Sequence, residues 1–171
     1  MKLARRLTLA GLLVAALLAG AAPGGTVAQE PTDAGTIKVG QILEESGYSY
    51  EKRAARVWTI PFEGKAFADF TVILSTSEDG QLLVIFVVLA RKAEIQASAA
   101  LWSTMLHFND ELDRVKVGID PDQDAFVRID LSTRIVDVAE LKVNIEQLAA
   151  SADEVYAALQ PHLITSPPTN E

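Results

Sequence analysis

The sequence predicts an α+β domain in which helices pack on an antiparallel sheet. Segments with strand-type apolar alternation occur in two groups, and each group contains a hairpin-type turn. Helix-type periodicity precedes, separates and follows these groups, which gives the order α-β-β-β-α-β-β-α. The chain has 171 residues, a formal net charge of −8 and no cysteine. This length suits one domain, disulfides and cysteine-ligated metals are excluded, and the acidic balance argues against nucleic-acid binding.

The first 28 residues are typical of a secretory signal peptide. A basic start precedes the apolar run 7–22, and small residues lead up to Ala28, after which cleavage is expected, with residues 19–21 as an earlier candidate site. This run is shorter than the ~20 residues that usually span a bilayer, and a retained N-terminal anchor is the alternative. The expected location is therefore periplasmic or secreted, with no stable membrane anchor after cleavage.

The segment 29–35 is predicted to be a flexible lead-in, and residues 36–164 are predicted to form a single domain. Its first helix is expected to begin with Thr36 as the N-cap and to end at Gly47. Three strands are predicted next, over residues 56–62, 67–75 and 82–89, with a hairpin turn at 77–80.

The third of these strands is apolar at every position from 82 to 89. Such a strand is expected to lie at the centre of the sheet and to be covered on both faces. Cover for the second face could come from a partner subunit, which is one reason to consider a homodimer.

The second helix is predicted over residues 93–109. Its apolar stripe is expected to contain Ile95, Ala99, Trp102 and Leu106, widened by Leu101, Met105 and Phe108. Trp58 and Trp102 are interpreted as core residues, and a position lining a peptide-binding groove is the alternative for either.

A second hairpin is predicted over residues 115–131, with its turn at 120–124. The core-facing side chains are expected to be Val115, Val117, Ile119, Val127, Ile129 and Leu131, whereas Lys116, Arg128 and Asp130 face water.

The last helix is predicted to begin at a capping box formed by Asp137 and Glu140 and to end at Pro161. A narrow apolar seam follows at Val138, Leu141, Ile145, Leu148, Ala152, Val155 and Leu159. This seam packs on the sheet or, alternatively, mediates a homodimer. Residues 165–171 are predicted to be a disordered tail.

Several segments in this order resemble the YbjN family. They include Gly47 and Tyr48 at the exit of the first helix, the Leu-x-x-Asn end at residues 106–109, the second hairpin, and the closing helix from 145 to 156. The resemblance implies the type III secretion chaperone-like fold and a role in protein binding. It implies no catalytic residues.

The polar side chains are interpreted as structural or solvated. Asp120, Asp122 and Asp124 alternate as at the start of a calcium loop, but Ala125 and Leu131 replace the glycine and glutamate that an EF-hand requires. A solvated turn is favoured over a weak cation site. The remaining candidates are His107 and His162 as structural residues, Glu44 and Glu45 on a solvated helix face, and Lys52, Arg53 and Arg56 at a surface strand end.

We therefore expect a non-enzymatic, exported, chaperone-like protein or protein-interaction module that binds an unknown protein or peptide and could form a homodimer. A concave sheet with flanking helices could hold an extended segment of such a partner. The alternative is a periplasmic carrier of a small molecule or lipid, with a pocket between sheet and helices. No catalytic, cofactor-binding or metal-binding residue is predicted, and no cofactor is expected.

Overall fold

Residues 33–164 are described by a computed structural model of the chain. The predicted signal peptide, most of the predicted lead-in and the predicted tail lie outside these residues. The elements are α1 Ala34–Ser46, β1 Glu51–Ala54, β2 Val57–Glu63, β3 Asp69–Thr76, β4 Leu82–Ala90, α2 Ala99–Glu111, β5 Lys116–Ile119, β6 Ala125–Ser132 and α3 Val138–Leu159. Among the described helices, none has the length and apolar character needed to cross a membrane.

The six strands form one antiparallel sheet in the order β1-β2-β3-β4-β6-β5. The predicted α+β class is therefore confirmed, and β4 lies at the centre as expected. Gly80, with a φ of 66°, lies in the predicted turn between β3 and β4. Strand β1 was not predicted, because its charged residues show no apolar alternation.

The core lies between the sheet and the helices on its inner face. Helix α3 lies across β4 and β6, and α1 packs against α3. The seam residues from Leu141 to Leu159 are fully buried in this core. The packing interpretation of the seam is thus correct, because these side chains already contact the rest of the chain. Asp137 caps α3 as predicted, since its carboxylate accepts a 2.8 Å hydrogen bond from the Glu140 N–H. The predicted capping box is not completed, because the Glu140 carboxylate accepts from Arg114 and Asn144 instead.

The N-cap of α1 is Asp33 and not the predicted Thr36. The Asp33 carboxylate accepts hydrogen bonds from the Thr36 N–H at 2.7 Å and from Arg56 Nη1 at 2.6 Å. The Thr36 hydroxyl lies one turn further on and is hydrogen-bonded to that of Thr76 at 2.6 Å. Helix α1 therefore begins within the predicted lead-in, at Ala34, and it ends at Gly47 as predicted, with a φ of 79°.

The carboxyl group of Asp33 has a lowered pKa. Burial alone would raise this pKa, but the hydrogen bonds from Thr36 and the positive charge of Arg56 outweigh it. The ionised carboxylate therefore joins the start of α1 to the β1–β2 turn that contains Arg56.

Helix α2 begins later than predicted. Ser98 is its N-cap and accepts a 3.1 Å hydrogen bond from the Leu101 N–H. The preceding residues form a short 3-10 turn, Lys92–Glu94, and Ile95 forms a β-bridge with Leu163. The first part of the predicted helix, including Ile95, is therefore not α-helical.

The buried side of α2 also differs from the prediction. Leu101, Met105 and Phe108 are buried, whereas Trp102 is 39% exposed and Leu106 is 70% exposed. Trp58 is in the core as predicted, at 3% exposure, but the core position predicted for Trp102 is wrong. The helix carries two apolar stripes one residue apart. Its packing on β5 and α3 buries the stripe of Leu101, Met105 and Phe108 and leaves that of Trp102 and Leu106 exposed.

Candidate functional site

The outer face of the sheet, opposite α1 and α3, is the candidate functional site. Side chains alternate between faces along a strand. In β4 the inner set is buried, and it comprises Leu83, Ile85, Val87 and Leu89. The outer set comprises Leu82, which is exposed, and Val84, Phe86 and Val88, which are half-buried. Among the described residues, helices cover only the inner face of β4, so the cover expected for the outer face stays a prediction.

An apolar surface continues across three neighbouring strands of this outer face. Phe86 is in register with Ile73 of β3 on one side, and Val88 is in register with Phe126 of β6 on the other. We call Ile73, Val84, Phe86, Val88 and Phe126 the apolar centre; all five are half-buried. Contiguous apolar surface of this kind is typical of interaction sites.

Charged residues flank the apolar centre on the β5–β6 side. Lys116 Nζ lies 2.6 Å from Asp130 Oδ2, whereas Arg128 Nε lies 3.4 Å from Asp130 Oδ1. Within the described residues, Arg128 Nε and Asp130 Oδ1 are buried atoms without a hydrogen-bond partner. The three residues share the face predicted for them, but they form an ionic group of two cations and one carboxylate instead of being separately solvated.

The ring of Phe126 connects this ionic group to the apolar centre. The Arg128 guanidinium carbon lies 5.5 Å from the ring centroid, a cation–π distance. On the neighbouring strand, a Cβ at Gly118 would lie 2.8 Å from the ring's Cζ atom. The absence of a side chain at Gly118 therefore lets the Phe126 ring lie flat over β5.

The backbone edges of the sheet are less available for binding a partner than its outer face is. The Asn109 side chain donates to the Val117 carbonyl and accepts from the Val117 N–H, both at 2.9 Å. It thereby occupies backbone groups of β5 that a further strand would use. At the other edge, β1 carries the charged residues Glu51, Lys52 and Arg53. Both features are common ways of blocking strand addition.

The predicted acidic turn is a turn, but it is only partly solvated. Asp124 is 7% exposed. Its carboxylate accepts from Arg91 Nη1 at 2.6 Å and from the Lys92 N–H at 2.8 Å. The Asp124 N–H in turn donates to Asp120 Oδ1 at 2.9 Å. Residues 33–164 contain no group of three acidic, histidine or cysteine side chains that could hold a metal ion.

The other residues singled out from the sequence lie apart. His107 is exposed on α2, 3.1 Å from Glu111, and His162 lies in a short 3-10 turn. Glu44 and Glu45 are exposed on α1, as predicted. The predicted basic group is divided, because Arg53 pairs with Glu51 and Arg56 pairs with Asp33.

Sequence reasoning missed the side chain that holds the β2–β3 turn against α3. Asp153 Oδ1 accepts hydrogen bonds from the N–H groups of Ala66 and Phe67, both at 2.8 Å. The Phe67 hydrogen bond is the main cause of the lowered pKa of Asp153. One turn further along α3, Tyr156 stacks on Phe67 with ring centroids 4.1 Å apart. The closing-helix segment of the resemblance therefore holds this hairpin in place.

A shallow open depression of about 570 Å³ lies next to the turn that connects β2 and β3. It is lined by Pro61, Phe62, Glu63, Asp69, Phe70 and Thr71. By strand alternation, Pro61, Glu63, Asp69 and Thr71 belong to the outer face. Four of the six lining residues therefore belong to the outer face, whereas Phe62 and Phe70 belong to the inner face.

A family model matches most of the chain. It is that of YbjN, described as "Putative bacterial sensory transduction regulator", and it matches residues 38–161. No curated protein sequence matches the chain.

Solved structures share the fold at low sequence identity. The ExsC–ExsE complex matches at 14% identity and a TM-score of 0.54, covering 75% of this chain and 96% of that chain. The HopA1–SchA chaperone–effector complex matches at 12% identity and a TM-score of 0.52, covering 75% and 99%. YbjN from E. coli matches at 17% identity and a TM-score of 0.54, covering 75% and 95%. The type III secretion chaperone-like fold expected from the resemblance is confirmed.

Proposed function

The chain belongs to the YbjN family, and from this premise we propose that it is a non-enzymatic, chaperone-like module that binds a segment of another protein on its outer face. The observation that carries the proposal is the apolar centre. The described helices leave it uncovered, although three of its five residues lie on the central strand β4. Two solved structures of the same fold, ExsC–ExsE and HopA1–SchA, are complexes with a second protein, which supports a protein partner.

The chemistry of the outer face favours a segment with alternating or helical apolar side chains. Burial of apolar surface contributes roughly 25 cal/mol per Å² removed from water. Because Asn109 and the charges of β1 occupy the edges, the segment is expected to lie on the sheet through side-chain contacts. An open sheet face of this kind suits a polypeptide better than a small molecule, which usually binds in an enclosed pocket.

Photo-crosslinking in cells tests this proposal. The photo-reactive residue p-benzoylphenylalanine replaces Phe86 in the apolar centre in one variant and Leu106 on α2 in another. Leu106 is the matched comparison because, among residues 33–164, it is the most exposed large apolar side chain, at 70%. We expect a discrete crosslinked protein from position 86, absent or much weaker from position 106, and lost when Val84 and Val88 are also replaced by threonine.

Other outcomes of the same experiment separate the alternatives. A crosslink from position 86 only to a second copy of the chain would establish the homodimer and remove the need for another partner. Crosslinks from position 106 alone would move the binding site to α2. If position 86 yields no protein and native mass spectrometry instead shows a reproducible small apolar mass, the carrier alternative is correct.

We also propose that the chain is exported and that residues 1–28 act as the cleaved signal. The support is the basic start, the apolar run 7–22 and the small residues up to Ala28. N-terminal sequencing of the protein recovered from the periplasm or medium tests this, with Gln29 as the expected first residue. A protein that keeps its N-terminus and fractionates with membranes would instead be anchored.

A further inference from the structure

We propose that Arg128 anchors a carboxylate of the bound segment, namely an Asp or Glu side chain flanked by apolar residues. This inference rests on the proposed function, because it assigns a chemical character to the partner at the same outer face. Arg128 would thereby determine which apolar segments bind and in which register.

The charges on this side of the outer face leave Arg128 without a full partner. Asp130 is the nearest carboxylate, and its Oδ2 atom is already paired with Lys116 at 2.6 Å. Its other oxygen is 3.4 Å from Arg128 Nε and makes no hydrogen bond to it. Two cations therefore share one anion, in a chain whose formal net charge is −8. An incoming carboxylate would balance this local positive charge.

The surroundings of Arg128 make such a contact stronger than one at an ordinary surface arginine. Its side chain is 24% exposed. It lies over the Phe126 ring and is in register with Phe86, so apolar side chains adjoin it on two sides. A segment bound on the apolar centre would exclude more water from this position, and a charge-assisted hydrogen bond strengthens as water is excluded.

Lys116 is less suited to the same role. It is 56% exposed and already paired with Asp130, and an ammonium group lacks the planar fork that binds a carboxylate through two parallel hydrogen bonds. At the opposite corner of the outer face, Glu63 and Asp69 are directly cross-strand neighbours. A carboxylate would be repelled there, so the two ends of the face differ in the charge that they accept.

Binding of two synthetic peptides to the purified mature chain, residues 29–171, tests the inference. Both peptides are capped at each end, carry a fluorophore and alternate valine with threonine, and they differ only in a central Glu or Gln. We expect the Glu peptide to bind about five- to thirty-fold more tightly, because a charge-assisted hydrogen bond is roughly twice as strong as the neutral one that Gln can make. In Arg128→Gln this preference is expected to fall to about one-fold, and in Arg128→Lys to an intermediate value.

Arg53→Gln is the matched control, since it removes an arginine from the edge strand β1 and should leave the preference unchanged. Equal binding of both peptides to the unmodified protein would overturn the carboxylate anchor while leaving the proposed function standing. If neither peptide binds, the carboxylate anchor on an extended segment is overturned, and the crosslinking at position 86 decides separately whether the proposed function stands. A preference that persists in Arg128→Gln, or that Arg53→Gln abolishes, would assign the carboxylate contact to another cation and overturn the inference.

Discussion

The two faces of β4 have the same kind of sequence and different surroundings. The inner side chains, such as Ile85 and Val87, are wholly buried under the helices. The outer ones, such as Val84 and Phe86, are equally apolar but half-buried, and no described element lies over them. Burial by the chain's own helices therefore explains why the inner side chains are apolar. It does not explain why the outer side chains are apolar as well.

This difference separates residues that stabilise the fold from residues available for binding. Apolar side chains on the inner face gain their burial during folding. Those of the apolar centre can gain the remainder only when another molecule covers them. Substitutions on the two faces should therefore change different measured quantities, and the following predictions use this, from the largest expected effect to the smallest.

The inner face should show the largest loss of stability. Ile85→Ala removes side-chain atoms that are 0% exposed, next to Leu74 and Ile129, which are in register with Ile85. We expect the free energy of unfolding to fall by about 2–5 kcal/mol, measured by urea denaturation. A loss below about 0.5 kcal/mol would contradict the assignment of this face as the core.

The edge of β5 should show the next largest effect. Asn109→Ala leaves the Val117 N–H and carbonyl without their side-chain partner, and we expect a loss of about 1–3 kcal/mol in the free energy of unfolding. Size-exclusion chromatography should also show more self-association, because the strand edge becomes available. Thr104→Ala is the control, because the half-buried Thr104 hydroxyl donates its hydrogen bond to the Ala100 carbonyl within the same helix. Unchanged stability and elution of Asn109→Ala would show that water replaces the amide and that the edge needs no protection.

The carboxylates that fasten the helices should make stability fall in acid. Asp33 and Asp153 both have pKa values lowered from the ordinary 3.8. For a lowered pKa, the stabilisation is present above the unfolded-state pKa and is lost as the pH falls through the folded-state pKa. Urea denaturation between neutral pH and strongly acidic pH should therefore show a loss below about pH 4.

Single variants identify the source of this acid dependence. Asp33→Asn and Asp153→Asn should each be less stable than the unmodified protein at neutral pH and lose less stability on acidification. An acid dependence that is unchanged in both variants would assign the titration to other carboxylates.

The outer face should show the smallest effect on stability. Phe86→Thr keeps a strand-forming residue at a half-buried position, and we expect the free energy of unfolding to change by about 1 kcal/mol or less. The peptide binding described above should nevertheless be lost. A destabilisation as large as that of Ile85→Ala would mean that Phe86 belongs to the core and would remove the contrast between the faces.

The sequence predicts the elements well where one periodicity dominates. The seam of α3 has a single apolar stripe, so its position and packing are predicted correctly. In α2 two stripes overlap, and the stripe of Trp102 and Leu106 fits a helix as well as that of Leu101 and Met105. Contacts with β5 and α3 decide between them, and these contacts are not visible in local periodicity.

The candidate site is less predictable for a related reason. An unbroken apolar strand predicts a central position, but it contains no alternation that shows which face lacks cover. The pairing of Asn109 with Val117 and of Asp153 with the β2–β3 turn depends on the relative placement of distant segments. The ionic group of Lys116, Arg128 and Asp130 was partly predictable, because alternation places all three on one face.

Thiol labelling of the outer face tests the central claim most directly. The chain has no cysteine, so single substitutions give unique reactive sites. Phe86→Cys reports on the apolar centre, and Glu44→Cys on exposed α1 is the control. We predict that a small maleimide labels Phe86→Cys much faster in the purified protein than in cells producing it. For Glu44→Cys, the labelling rates in cells and in the purified protein should be the same. Equal rates at position 86 in cells and in the purified protein would show that nothing covers the outer face there, and would contradict the account.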